Sequence, residues 1–265
     1  YYLLAVRESW KAWKASRESM KAIRLPQYKN SNCFTARRHN QTVDEIKKTA
    51  FSPCILSKIY RKLKLSNSYI VQKEFNYQPK YSQLSNSKSS YLEVYWQSEK
   101  YFEGYANIIQ TDFKFPELDK VNKLLASQIQ QSNAVSLHVR MGDYVNHPLH
   151  GGICTREYYS KAIELIKSRV DNPTFFVFSN EIEWCQQNFE LSNVVYVTGN
   201  DGESSYKDMQ LMSLCQHNII ANSSFSWWGA WLNPNPSKIV IAPAKWFNDK
   251  SINVSDLLPN SWIKL

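Results

Sequence analysis

Glycine is scarce in this chain of 265 residues, which contains only 7 of them, whereas glycine makes up roughly 7% of average proteins. Six of the seven lie at or after Gly142, and Gly104 is the only one that precedes it. No G-x-G-x-x-G or G-x-x-x-x-G-K-[ST] sequence occurs anywhere, which excludes both common glycine-rich phosphate loops. A bound nucleotide would therefore have to be held by other groups.

Membrane and disulfide signals are also missing. No stretch approaches the ~18 apolar residues of a membrane span, and no signal-peptide pattern precedes the first elements. The sequence begins with Tyr1 rather than Met, so we expect a processed chain or a fragment. The cysteines are odd in number, widely spaced and without a C-x-x-C pair, which is typical of reduced thiols in a cytosolic protein. They are Cys33, Cys54, Cys154, Cys185 and Cys215.

The net charge of +9 is concentrated at the amino-terminal end. Residues 1–64 hold 15 Lys and Arg against 4 Asp and Glu, whereas residues 133–265 hold 10 against 12. The pattern over residues 1–25 predicts a basic helix that ends before Pro26. Such a region can contact anionic lipid or nucleic acid, or it can be a solvated helix face. We expect no nucleic-acid partner and a cytoplasmic protein, with peripheral contact at the inner membrane surface as a candidate role of this region.

From residue 119 onward, short apolar segments alternate with helical ones. The apolar segments predict strands because they are nearly continuous, as in parallel sheets that are covered on both faces; they are 133–140, 174–179, 193–199, 218–222 and 238–243. Between them, helical spacing and a Thr155 cap predict helices over 156–169, 181–189, 205–215 and 225–232. This alternation predicts an α/β fold with a doubly wound parallel sheet.

In such a sheet, ligands bind outside the carboxyl ends of the strands. The first strand ends in His138 and Arg140, which lie on one side of it because side chains alternate. Arg140 provides a charged fork suited to a diphosphate, and Gly142 permits a sharp turn. Asp143 can cap the turn or orient the arginine, and it is also a candidate general base. The second strand is followed by Asn180 and Glu181, which could contact a base edge or begin a helix.

The fourth strand leads into a hydroxyl-rich helix start, which can bind an anion without glycine. Its residues are Asn222, Ser223, Ser224, Phe225 and Ser226. Asp208, early in the preceding helix, can contact a ligand or cap its own turn. Trp227, Trp228 and Trp231 fit the core better than a sugar platform. Arginine and helix start together describe a diphosphate site that needs no metal, and no Asp-x-Asp pair is present.

A zinc site is the other possibility that we considered. His147, His150 and Cys154 form an H-x-x-H-x-x-x-C pattern. No fourth ligand is evident in the sequence, and structural zinc sites take four ligands. We therefore expect no metal and no other cofactor.

Several segments resemble the α-1,2-fucosyltransferases of glycosyltransferase family eleven. HVRMGDY at 138–144 resembles the family's H-x-R-x-G-D-Y motif, and the resemblance extends over roughly residues 70–265. The other matching segments are YLEVYWQSEKYF at 91–102, VFSNEIEWC at 177–185, DMQLMSLCQHNIIANSSFSWWGAWLNP at 208–234 and PAKWF at 243–247.

The resemblance implies a GT-B-like fold of two Rossmann-like domains, here an acceptor-side region at 1–118 and a GDP-fucose-binding domain at 119–265. It implies inverting, metal-independent transfer of L-fucose from GDP-fucose to the 2-hydroxyl of a galactosyl glycan acceptor. Arg140 would neutralise the donor diphosphate, with help from the serines at the helix start. His138 and the pair Asn180–Glu181 fall where related enzymes contact guanine.

Two departures from the family pattern shape the expectations. Glu181 stands where the family has an aspartate, and the family's opening G-G-x-G-N-Q block is absent. We therefore expect the amino-terminal domain to be truncated or degenerate. Two alternatives stay open: an inactive GDP-sugar-binding fragment, and a basic membrane- or nucleic-acid-binding element fused to such a domain.

Overall fold

The computed structural model describes residues 69–81, 91–93 and 97–265. The helix predicted over residues 1–25 and the basic region 1–64 lie outside them. No helix in the described ranges is long and apolar enough to cross a membrane.

A parallel six-stranded sheet forms the centre of the molecule. Its strands are β3 (Ala134–Val139), β4 (Thr174–Ser179), β5 (Val194–Val197), β6 (His217–Ile219), β7 (Val240–Ala242) and β8 (Ile263–Lys264). Two short strands, β1 (Tyr69–Val71) and β2 (Tyr91–Glu93), pair separately and in parallel. The predicted α/β class and parallel sheet are confirmed.

The strand order is β5-β4-β3-β6-β7-β8. The chain thus builds outward from β3 to β5 on one side, then returns to β6 on the other. This order is compatible with a Rossmann-like fold, in which ligands bind where the strand order reverses. Here that position is the crevice beyond the carboxyl ends of β3 and β6.

Six α-helices cover the sheet in the part of the chain that the structure describes. They are α1 (Ala106–Asp112), α2 (Lys120–Gln130), α3 (Arg156–Lys167), α4 (Ile182–Asn188), α5 (Tyr206–Leu214) and α6 (Ser224–Leu232). The Asp119 side chain caps α2 by accepting from the Asn122 amide at 3.0 Å. The predicted Thr155 cap of α3 is confirmed, since its hydroxyl accepts from the Tyr158 amide at 3.3 Å.

The alternating side chains of β3 divide the core into two layers. Val135, Leu137 and Val139 face α3 and α4, where they are fully buried. Ala134 lies in the opposite layer, which contains α2, α5 and α6. The tryptophans of α6 are buried there, so the prediction that they belong to the core is confirmed.

Residues 97–113 pack against α6 through aromatic rings. Phe102 stacks on Trp228 with ring centroids 5.7 Å apart and meets Trp231 edge-on at 5.0 Å. The Lys100 ammonium forms an ion pair with the Asp256 carboxylate. Tyr101 and Phe102 therefore belong to the same buried layer as α6. The domain division at 118/119 stays a prediction.

A lysine caps the carboxyl-terminal end of α6. The Lys238 ammonium donates to the carbonyls of Ala230, Trp231 and Asn233 at 2.8, 3.2 and 2.7 Å. Burial lowers the pKa of Lys238 to about 8. The last carbonyls of a helix have no intrahelical donors, so the ammonium supplies them. Its positive charge also interacts favourably with the negative end of the helix dipole.

The strand count was predicted incompletely. The sequence pattern predicted five strands in this sheet, whereas the structure adds β8 at Ile263–Lys264. A two-residue strand has no detectable periodicity. Its pairing depends on β7, where Ile241 lies opposite Ile263.

Candidate functional site

The sheet register brings Arg140 and Asn222 to the same edge. Leu137 of β3 pairs with Ile219 of β6, and Arg140 and Asn222 each follow their paired residue at the same interval. The His138 ring lies 5.6 Å from the ring of Phe225 in the first turn of α6. The end of β3 and the start of α6 are therefore in direct contact at the crevice, as the sequence predicted.

His138 is a buried, neutral imidazole beside this crevice. It is only 5% exposed, and its Nδ1 has no hydrogen-bond partner among the described residues. Burial, together with the positive charge of Arg140, lowers the pKa of His138 to about 3. A buried polar atom without a partner is uncommon and calls for an explanation, and a ligand contact is the one that the sequence predicted.

Arg140 follows β3 and is half-buried. Its guanidinium carbon lies over the ring of Tyr144, 5.3 Å from the centroid. Stacking on an aromatic face restrains an arginine while leaving its N–H groups to bind other partners. Such a restraint orients the guanidinium before an anion binds to it.

The turn after Arg140 is braced by the end of β4. The Met141 amide donates to Asn180 Oδ1 at 3.1 Å. Gly142 has φ +58°, and a Cβ there would come within 2.5 Å of Asn180 Nδ2 and 3.3 Å of Glu181 Oε1. The positive φ favours glycine, and a Cβ would have to displace the Asn180 side chain. Asn180 and Glu181 therefore pack on this turn, and their contact with guanine stays a prediction.

Asp143 lies in the short 3-10 helix Gly142–Tyr144, directly after this brace. The structure describes its backbone position only. Its predicted role in orienting Arg140 stays a prediction.

Helix α6 begins at Ser224 with Ser223 as the preceding cap residue. Ser223 makes no side-chain cap hydrogen bond. Its carbonyl instead accepts from the Trp227 amide at 3.0 Å and from the Ser226 hydroxyl at 3.3 Å. The amides of the first helical turn have no intrahelical acceptor and point out of the amino-terminal end of the helix. The start of α6 therefore suits an anion.

Asn222 fastens the loop after β3 to the end of β6. Its side chain is 2% exposed. It donates to the carbonyls of His150 and Trp246 at 3.2 Å each and accepts from the Cys154 thiol at 3.4 Å. Sequence reasoning missed this structural role because the partners lie far apart along the chain. That Asn222 also binds the donor stays a prediction.

Asn248 provides a second attachment for the same loop. Its side-chain amide donates to the carbonyls of Pro148 and Gly151 at 3.0 and 2.9 Å. Its backbone amide donates to the Leu149 carbonyl at 2.8 Å. The loop from residue 144 to 154 is thus held across the carboxyl edge of the sheet.

The H-x-x-H-x-x-x-C pattern is used for loop structure. His147 Nδ1 accepts from the Leu149 amide at 3.1 Å. The Cys154 thiol donates to Asn222, and burial raises its pKa to about 12. Within the described ranges, no three His, Cys, Asp or Glu side chains are grouped to hold a metal ion.

Asp208 belongs to a polar chain between the starts of α2 and α5. Asn200 donates to the Asp208 carboxylate at 2.8 Å, and Asn200 and Asn122 exchange hydrogen bonds of 2.9 and 2.8 Å. Burial raises the pKa of Asp208 to about 7, although the bond from Asn200 opposes the shift. The predicted contact of Asp208 with the sugar-nucleotide donor stays a prediction. The structure shows that Asp208 also helps to join α5 to α2 through Asn200 and Asn122.

Replacing Asp208 with asparagine is expected to reduce the pH dependence of stability. Because the folded pKa of about 7 exceeds the ordinary 3.8, stability is greatest below the ordinary pKa and is lost as pH rises through 7. The loss is roughly 2 kcal/mol between about pH 5 and pH 8. The introduced amide would still accept from Asn200 but would carry no charge. Urea unfolding at both pH values measures the difference.

The comparison of variant with wild type isolates Asp208 from His138. Because the folded pKa of His138 is lowered to about 3, its contribution has the opposite sign: stability is lost as pH falls below the ordinary histidine pKa. Both proteins share that contribution. Equal losses of stability in the variant and the wild type would show that Asp208 is ionised without penalty.

The chain was compared with known proteins. The model of the family described as Glycosyl transferase family 11 matches residues 42–265. An alpha-1,2-colitosyltransferase of Escherichia coli is 38% identical over 64% of this chain and 61% of its own length. The O-antigen biosynthesis glycosyltransferase WbnK of Escherichia coli is 43% identical over 51% of this chain and 46% of its own.

A mammalian protein is similar to this chain over a shorter segment. The galactoside alpha-(1,2)-fucosyltransferase 2 of Pongo pygmaeus is 36% identical over 39% of this chain and 32% of its own length. The matches therefore span less than two thirds of the length of these relatives. Since the family model covers well over half of the chain, including all of the described residues, the chain belongs to glycosyl transferase family 11.

Proposed function

We propose that this protein transfers L-fucose from GDP-fucose to the 2-hydroxyl of a galactosyl acceptor, with inversion and without a metal. The observation that carries the proposal is the contact of His138 with the α6 start at the point where the strand order reverses, with Arg140 two residues further along at the same strand end. The names of two relatives, a colitosyltransferase and a galactoside fucosyltransferase, share the α-1,2 linkage. This linkage supports the choice of acceptor hydroxyl.

In the proposed reaction, the acceptor hydroxyl attacks the anomeric carbon of fucose from the side opposite the diphosphate. The new carbon–oxygen bond forms as the bond to the phosphate oxygen breaks, the hydroxyl proton passes to a base or to water, and GDP leaves with both bonding electrons. Negative charge thus grows on the diphosphate. A cation and amides fixed in advance stabilise that charge best, and Arg140 with the α6 amides would supply them.

The remaining site residues would position the reacting groups. Asp143 would orient the Arg140 guanidinium, and the braced turn at Gly142 would hold both. His138 would present a neutral imidazole to the donor. Because its folded pKa is about 3, it would not add positive charge at neutral pH.

Other functions are compatible with the same site. A chain that binds a GDP-sugar without turning it over would need only the donor half. The first relative is named for colitosyl transfer, so a colitosyl donor is the second candidate donor. The excess of basic residues in 1–64 is compatible with peripheral contact at the inner membrane surface as well as with a solvated helix face. A cytoplasmic location with such contact is part of the proposal.

The test combines GDP binding with turnover. GDP binding is measured by titration calorimetry, and transfer is measured with GDP-fucose and lactose, followed by NMR assignment of the new linkage. We expect both, with no loss of rate in EDTA. GDP binding without transfer to lactose or other β-galactosides would support the inactive fragment. Absence of GDP binding would overturn the proposal.

A further inference from the structure

We propose that a row of aromatic rings beside Arg140 binds the pyranose rings of the glycan acceptor. The row, called here the aromatic strip, consists of Tyr144, His147, His150, Phe247 and Phe75. The inference rests on the proposed function, since it assigns the acceptor side of the same crevice. It adds a binding surface that the donor-site residues do not supply.

The rings of the aromatic strip form a continuous series. Tyr144 and His150 are stacked with centroids 5.0 Å apart, and His147 lies 4.7 Å from His150. Phe247 continues the series at 5.3 Å from His150, and Phe75 lies 5.2 Å beyond it. The series therefore leads from the Arg140 stacking partner to a residue of the amino-terminal half.

The strip is accessible along its length. His147 is exposed, while Tyr144, His150, Phe247 and Phe75 are half-buried. Val145, next to the strip, is 50% exposed. Partly exposed aromatic side chains, accompanied by a few polar groups, are typical of small-molecule sites.

Two asparagine attachments, from the buried Asn222 and the half-buried Asn248, hold the strip in place. Asn222 binds the His150 carbonyl, and Asn248 binds the carbonyls of Pro148 and Gly151. Gly151 lies so close that a Cβ would be 2.7 Å from the carbonyl oxygens of Tyr144 and Val145. The loop is therefore fixed by close backbone packing and by asparagine side chains, while its rings stay partly exposed. A rigid scaffold that presents accessible side chains is characteristic of binding loops.

The chemistry of the strip suits sugars. The C–H faces of a pyranose pack on aromatic faces. Nδ1 of the exposed His147 accepts from the Leu149 amide, so its Nε2 is the nitrogen that can hydrogen-bond to a sugar hydroxyl. A series of rings is longer than one nucleobase but matches a ligand made of successive rings. Its start at Tyr144, over which Arg140 lies, would place the first sugar of the acceptor next to the donor diphosphate.

The test measures lactose binding to the GDP-saturated full chain by calorimetry. Phe247→Leu keeps apolar volume but removes the flat face, and His147→Ala removes an exposed imidazole. We expect each substitution to weaken lactose binding by about tenfold and to leave GDP affinity unchanged. Phe247→Tyr restores a flat ring and is expected to retain lactose binding.

Tyr196→Leu is the matched control, because Tyr196 is a half-buried aromatic residue on the edge strand β5. It should leave lactose and GDP binding unchanged. If Phe247→Leu and His147→Ala both bind lactose as the wild type does, or if the wild type binds GDP but not lactose, the assignment of the aromatic strip is wrong. A wild type that does not bind GDP would instead overturn the proposed function.

Discussion

Replacing Arg140 with alanine is expected to weaken GDP binding by about a hundredfold. A charge-assisted hydrogen bond to a diphosphate is worth roughly 1.5–3 kcal/mol. A net loss equal to one such bond, about 2.7 kcal/mol, corresponds to a hundredfold change in affinity. The residue is half-buried at the end of β3, over the Tyr144 ring. Titration calorimetry of GDP against the folded variant measures the loss.

Two further variants separate charge from geometry. Arg140→Lys keeps the charge but loses the fork, so we expect an intermediate loss of about tenfold. Arg169→Ala removes an exposed arginine that follows α3 and should leave GDP binding unchanged. If Arg140→Ala binds GDP as tightly as the wild type, Arg140 does not hold the diphosphate.

Replacing Gly151 with alanine is expected to destabilise the protein by about 2–3 kcal/mol. A Cβ at this position would meet the carbonyl oxygens of Tyr144, Val145 and His147 at 2.7, 2.7 and 2.8 Å. Backbone atoms cannot move aside as a flexible side chain could. The loop after β3 must therefore shift and strain its attachments to Asn222 and Asn248. Urea unfolding monitored by tryptophan fluorescence measures the change.

Gly104→Ala provides the matched control for Gly151→Ala. At Gly104 an added Cβ would have no atom within 4 Å, so we expect a change in stability of less than about 0.5 kcal/mol. If Gly151→Ala unfolds at the same urea concentration as the wild type, the close packing of this loop does not contribute to stability.

The central part of the fold was predictable from the sequence because its signals are local. The apolar run of β4 was predicted at the residues where the structure places it, 174–179. The strand over 218–222 was predicted too far along, since β6 ends at Ile219. Its end is set by pairing with the short strand β7, and pairing depends on a partner distant in sequence.

The candidate site was likewise predictable only where its signals are local in the sequence. Arg140 and His138 were found from strand alternation, and the helix start from its serines. The hydrogen bond from the Met141 amide to Asn180 and the attachment of Asn222 to the His150 carbonyl were not predicted. These contacts join segments 39 and 72 residues apart, and nothing in the local composition of either segment indicates the other.

The strand order has a consequence for how the chain folds. The pairs β3–β4 and β4–β5 join successive strands, whereas β6 must return to β3 across the whole intervening sequence. Contacts that are distant along the chain close a long loop and slow folding. The β3–β6 pairing also creates the crevice that holds Arg140 and α6. The proposed donor site therefore forms only when the two halves of the sheet have joined, so a bound donor would report the completed domain and stabilise it as a unit.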